Sequence, residues 1–154
     1  MIGAAPLVVT SVLLALSFTL SARAESLPKE AVALKPTEVK AIYSGKSSNW
    51  SETRAYFAPD GSVFLFKKDK TVWAEGRWTI TDNQACMNVT WNEIRSGKTG
   101  NHTDCWTWFR HGKRHLALWS GQKDKKTGYW DGEIKLLRKG DVVTTAVAAL
   151  KAGQ

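Results

Sequence analysis

The chain has 154 residues, a net charge of +8, eight tryptophans and only two cysteines. That length suits one domain, and the two cysteines lack the twin C-x-x-C spacing of a four-ligand structural zinc site. The basic balance favours anionic partners, while no nucleic-acid-binding motif occurs anywhere in the chain.

The first 24 residues read as a leader. "LVVTSVLLALSFTL", Leu7 to Leu20, is an apolar run of fourteen residues, short for a bilayer span of about 20. It is followed by the small-residue box Ala22-Arg23-Ala24. The pattern predicts a secretory signal cleaved after Ala24, with an uncleaved anchor as the competing reading. The stretch before the run, "MIGAAP", lacks the usual basic residue. The expected mature chain, residues 25–154, has 21 basic and 14 acidic residues, a net charge of +7. It is not membrane-spanning, and its charge suits an anionic lipid, a phosphorylated glycolipid or an acidic polymer. Nucleic acid is excluded as a partner by export. In an oxidising compartment the two cysteines are expected to form one disulfide, Cys86 to Cys105.

Residues 25–36, with two prolines, read as a mobile lead-in. Thr37 as N-cap and Gly45 just past the end predict a short helix over Glu38 to Tyr43. Its apolar residues Val39, Ile42 and Tyr43 fall on one face at helical spacing. From Asn49 onward the texture is β: "NWSETRAYF", "SVFLFK", "VWAEGRWTIT", "ACMNVTWNE", "TDCWTWFRHG", "RHLALWS" and "YWDGEIKLLR", separated by turn-forming stretches such as "APDG" and "KDKT". Such a series predicts an all-β fold, a small antiparallel β-barrel or barrel-like sandwich of about seven or eight strands with a short N-terminal helix. The single β domain spans residues 37–141. The tail, residues 142–154, offers a last strand at its Val-Thr start, with fraying as the alternative.

Alternation assigns strand faces, because adjacent residues in a strand point to opposite sides. Trp78, Trp91, Trp106, Trp108 and Trp130 read as inward, where they either pack a core or line a cavity. A closed eight-stranded barrel allows both. Trp73, Trp119 and Trp50 fall among polar neighbours and read as an exposed stacking surface. If Cys86 pairs opposite Cys105, Val89 pairs with His102, and the turn falls between Arg95 and Ser96. The disulfide then lies on the polar face behind the tryptophans, and its closed loop contributes about 3 kcal/mol.

Catalytic chemistry has little support in the sequence. His102, Asp104, His111 and His115 form the one cluster of metal-ligand character, but the spacing of His111 and His115 suits a helix and not two strands. Asp131 and Glu133, two apart on one expected strand face, resemble paired carboxylates, although a solvated outer face explains them better. No nucleophile elbow or phosphate loop is present. No enzyme activity, metal or cofactor is therefore expected. From Arg110 to Lys126 there are six Lys or Arg residues and one acid around Trp119. Arg110, Lys113, Arg114, Lys123 and Lys125, with the aromatic rings of Trp119 and Trp73, are the candidate ligand or partner contacts.

The motifs "LKPTEVKAIYSGK", "YFAPDGSV", "AEGRWTI", "ACMNVTW", "TDCWTWFRHG", "LWS" and "GYWDGEIKLLRKGD" closely resemble the domain of unknown function family 995. These are small exported proteins of alphaproteobacteria. The resemblance covers residues 35 to 141 and implies a bacterial source and an envelope-side location, but it transfers no catalytic or binding residues. Together these readings predict a periplasmic or secreted, non-enzymatic protein that binds a cell-envelope component of apolar, glycan or anionic character. The alternative is a periplasmic protein-protein interaction or inhibitor module anchored by Trp73 and Trp119.

Overall fold

The computed structural model describes residues 23–153. The expected leader up to residue 22 lies outside them. The described chain runs β1 (Val32–Ala33), α1 (Pro36–Tyr43), β2 (Lys46–Ser48), β3 (Thr53–Phe57), β4 (Ser62–Lys67), β5 (Val72–Thr81), β6 (Gln84–Glu93), β7 (Thr99–His111), β8 (Arg114–Trp119), a 3-10 helix (Glu133–Leu136), β9 (Leu137–Lys139) and α2 (Thr144–Ala152). The fold is all-β, as expected, a curled antiparallel half-barrel with the expected N-terminal helix and a second short helix at the C-terminal end. Among the described residues no helix is long and apolar enough to cross a membrane.

The strands lie in the order β8-β7-β6-β5-β4-β3-β2-β9, and β1 pairs with the end of β7 on the same edge as β6. Every pairing from β2 to β8 joins strands consecutive in sequence, which short turns allow only for antiparallel neighbours. The expected β6–β7 register is present: Cys86 pairs with Cys105 and Val89 with His102. The two cysteines form the disulfide.

Pairing carries side chains across the sheet in rows. One face presents Ala55, Leu65, Ala74 and Trp91, and beside them Phe57, Val63, Gly76, Val89 and His102. This is the concave face. Gly76 lets it curl, because a Cβ there would lie 2.0 Å from the Asn88 carbonyl oxygen. Helix α1 closes one end. Pro36 occupies the first helical position with Lys35 as N-cap, so the helix starts two residues earlier than Thr37 capping predicts. Proline suits this position because the first turn leaves its N–H unpaired in any case. Val39, Ile42 and Tyr43 are buried with Phe57, Trp78, Trp106 and Trp108. The Tyr43 ring meets Phe57 at 4.8 Å and both Trp106 and Trp108 at 5.9 Å.

The convex face carries a second, smaller core that strand alternation does not reveal. The tail is neither a strand nor frayed, because residues 144–152 form α2. Val143 and Val147 pack on Phe66 and Trp73. Trp73, expected on an exposed surface, is therefore 7% exposed, with Lys151 Nζ 5.1 Å above its ring and ion-paired to Glu75. Residues 25–36, expected to be mobile, are held at two points. Glu25 bridges Tyr129, and β1 pairs with Phe109 and Arg110 of β7.

The stretch "YWDGEIKLLR" also departs from a continuous strand. Trp130 bridges Ala117 of β8, the 3-10 helix follows, and only then does β9 pair with β2. After β8 the chain must cross the mouth of the half-barrel to reach its far edge. A short helical turn supplies that change of direction, and strand alternation does not apply across it.

Candidate functional site

The end of the concave face away from α1 is open, a cleft of about 1110 Å³. Leu65, Ala74, Met87 and Val89 form its apolar floor, and Trp50, Trp91, Trp106 and Trp130 also line it. Glu133 and Leu136 enter from the 3-10 helix, and the charged and polar part of the lining includes Glu52, Lys67, Glu93, His102, Asp104 and Trp119. The β2–β3 connection carries Trp50, whose ring stacks on Trp106 at 5.2 Å and 12°. Trp130 is fixed by its backbone bonds to Ala117, and its ring lies against Gly132, where a Cβ would come within 2.0 Å. Only glycine permits that approach.

Glu133 is the chemically distinctive residue of the cleft. Its side chain is 2% exposed, and Oε1 accepts a hydrogen bond of 2.9 Å from Trp50 Nε1. Burial pushes its carboxyl up to about 7, against the opposing effect of the Trp50 bond. Loss of water disfavours the charged form of an acid. Burial likewise raises the Tyr43 hydroxyl well above its ordinary value; the negative charge of Glu133 adds to this and the Trp108 indole partly offsets it. At the rim, Asp104 joins three side chains: Oδ1 accepts from Trp119 Nε1 at 2.7 Å and from Ser120 Oγ at 3.5 Å, and Oδ2 lies 2.9 Å from His102 Nε2.

The structure divides the five tryptophans expected to face inward. Trp78, Trp106 and Trp108 are buried, whereas Trp91 and Trp130 are half-buried and line the cleft. Trp106 belongs to both groups, packed on Tyr43 yet reaching the cleft. Trp119 is 40% exposed, but it lies on the rim and is tied to Asp104, so it does not stand free. Trp50 also belongs to the cleft and not to an outer stacking surface.

The basic stretch does not form one continuous cationic surface. Arg110 pairs with Glu38 at 2.6 Å, and Arg114 pairs with Glu25 and Asp131. Lys125 Nζ donates to the carbonyls of Trp119 and Ser120. Lys113 and Lys123 are exposed. His111 and His115 fall on opposite faces, since Arg110 pairs with His115. Asp131 and Glu133 also separate. Asp131 takes the outer ion pairs with Arg114 and Lys135, and Glu133 turns inward, contrary to the solvated outer face expected for both. The cleft carboxyl was thus hidden in the sequence. Its one signal is an acid set among Trp130, Ile134 and Leu136.

Together these features define a small disulfide-linked β half-barrel with a tryptophan-lined cleft. The chain belongs to the family described as "Protein of unknown function (DUF995)", whose model matches residues 11–142. Comparison with curated proteins and with solved structures finds no match.

Proposed function

We propose that this is an exported, non-enzymatic binding protein whose cleft holds a small envelope molecule with an apolar body. The carrying observation is the cleft itself. Its volume of about 1110 Å³ is at or slightly above the range usual for small-molecule sites, and its apolar, aromatic lining with a few convergent polar groups is of the usual kind. Export is supported by the leader pattern and by the disulfide, a bond that persists in oxidising compartments. Because Arg110, Arg114 and Lys125 are bonded within the chain, the cleft is a better binding site than the basic stretch.

Titration with an apolar fluorescent probe such as N-phenylnaphthylamine tests the reading. The expected result is saturable one-site binding that Leu65→Trp, which fills the cleft floor, abolishes while circular dichroism stays unchanged. Absence of saturable binding, or an unaltered Kd in the filled variant, would overturn it.

A further inference from the structure

We infer that the cleft selects an organic ammonium cation carried on an apolar body, with the ammonium group against Glu133 and the apolar body over Leu65, Met87 and Val89. This rests on the cleft being a binding site and adds the class of its ligand. Three observations carry it.

The first is a reversal of charge sign. The chain as a whole carries +8, yet the cleft is lined by Glu52, Glu93, Asp104 and Glu133 against the single lysine Lys67. His102 adds a positive charge only when protonated, and it is already bonded to Asp104. A ligand entering the cleft therefore meets a field opposite to that of the protein as a whole.

The second is the state of Glu133. It is almost wholly buried, it receives one neutral hydrogen bond from Trp50, and no ion pair within the described residues reaches it. A buried carboxylate without a counter-charge is costly. Because Glu133 lines the cleft, a cation bound there supplies the missing charge. The upward displacement of its carboxyl to about 7 has the same origin, burial without a cation.

The third is the aromatic lining. Indoles attract ammonium groups more strongly than other aromatic side chains, and the effect grows when water is excluded. Five indoles line this cleft, among them the Trp50–Trp106 stack whose Trp50 nitrogen holds the Glu133 carboxyl. Carboxyl and rings thus form one connected site.

The test uses three probes with the same dodecyl chain, below their micelle-forming concentrations: dodecyltrimethylammonium, dodecyl maltoside and dodecyl sulfate. Tryptophan fluorescence reads binding to the purified protein and to Glu133→Gln, which keeps an oxygen acceptor for Trp50. The cation is expected to bind about tenfold tighter than the neutral probe, with the sulfate weakest. Glu133→Gln is expected to remove most of that preference, leaving only what the indoles supply, and to leave the neutral probe unchanged. Non-specific attraction to a net positive protein, +7 without the leader, would favour the sulfate, so a cation preference cannot arise from overall charge. Equal binding of cation and neutral probe, or a preference undiminished in Glu133→Gln, overturns the cation assignment while leaving the cleft a binding site. Tighter binding of the sulfate also overturns it. Failure of all three probes sinks both the assignment and the proposed function.

Discussion

The two ends of the concave face are built from the same strands and the same alternation, yet one is full and the other hollow. At the α1 end, Tyr43, Phe57, Trp78 and Trp108 interlock. At the other end, residues of the same sheet face, Leu65, Ala74 and Val89, border a cleft. Trp106 stands at the boundary, with Tyr43 on one side and Trp50 stacked on it. What separates the ends is the element laid over them: a helix with three buried side chains over one, a short 3-10 turn carrying a carboxyl over the other. Inward-facing tryptophan is thus not one role. Where a covering element fills the space it is core, and where none does it is a wall.

The strongest way to break this comparison is truncation at the full end. Trp108→Ala should lower unfolding free energy by about 3–5 kcal/mol, measured by urea denaturation. Trp91→Ala at the open end should cost markedly less, because part of that ring already faces the cleft. Equal losses would mean that the cleft is not a real gap in the packing. Next in size, replacing both cysteines by serine should cost about 3 kcal/mol, in the chain-entropy account of a loop closed between positions 19 apart. The bond lies behind the concave face, so probe binding should survive at temperatures where the variant remains folded.

Acidity sharpens the comparison at the open end. The Glu133 carboxyl is raised to about 7 from 4.5, so the folded state holds a proton that the unfolded state has released over that interval. Stability should therefore fall as pH rises from about 4.5 to 7, by up to about 3 kcal/mol. Glu133→Gln should flatten thermal melts in that window, and a melt profile identical to the parent's would show that Glu133 is not buried. A smaller effect is expected on the convex side, where Val147→Ala should cost about 1–2 kcal/mol and make Trp73 more accessible to acrylamide quenching. The smallest concerns the basic loop. Charge reversal at Lys113 and Lys123 should leave binding of the neutral probe unchanged, and loss of that binding would move the site from the cleft to the loop.

Much of the barrel was legible because its signals are local. Turn residues between alternating runs delimit β3 to β8, and pairing the two cysteines sets the β6–β7 register. The helix over Val39, Ile42 and Tyr43 announces itself by spacing, and only its first turn was misplaced, at Pro36. The candidate site was less legible. Strand alternation places Trp91, Trp106 and Trp130 inward, but carried across "YWDGEIKLL" it sends Glu133 outward, because that segment turns into a 3-10 helix. Trp73 departs from its expected exposure for a different reason: its polar strand neighbours Glu75 and Arg77 carry no signal that α2 covers that part of the convex face.

By itself the sequence determined the all-β class, the disulfide, the inward tryptophans of β5 to β7 and the apolar face of α1, since each depends on neighbours a few residues apart or on a single cysteine pair. Only the tertiary structure decided which inward tryptophans are packed and which are wetted, that Glu133 lies buried beneath Trp50, and that α2 hides Trp73. Burial and desolvation depend on what covers a surface, and here the covering element lies far along the chain: Trp50 is 83 positions from Glu133, and Glu75 is 76 from Lys151. Alternation gives the direction in which a side chain points, and the space it meets there is set by contacts that no local pattern contains.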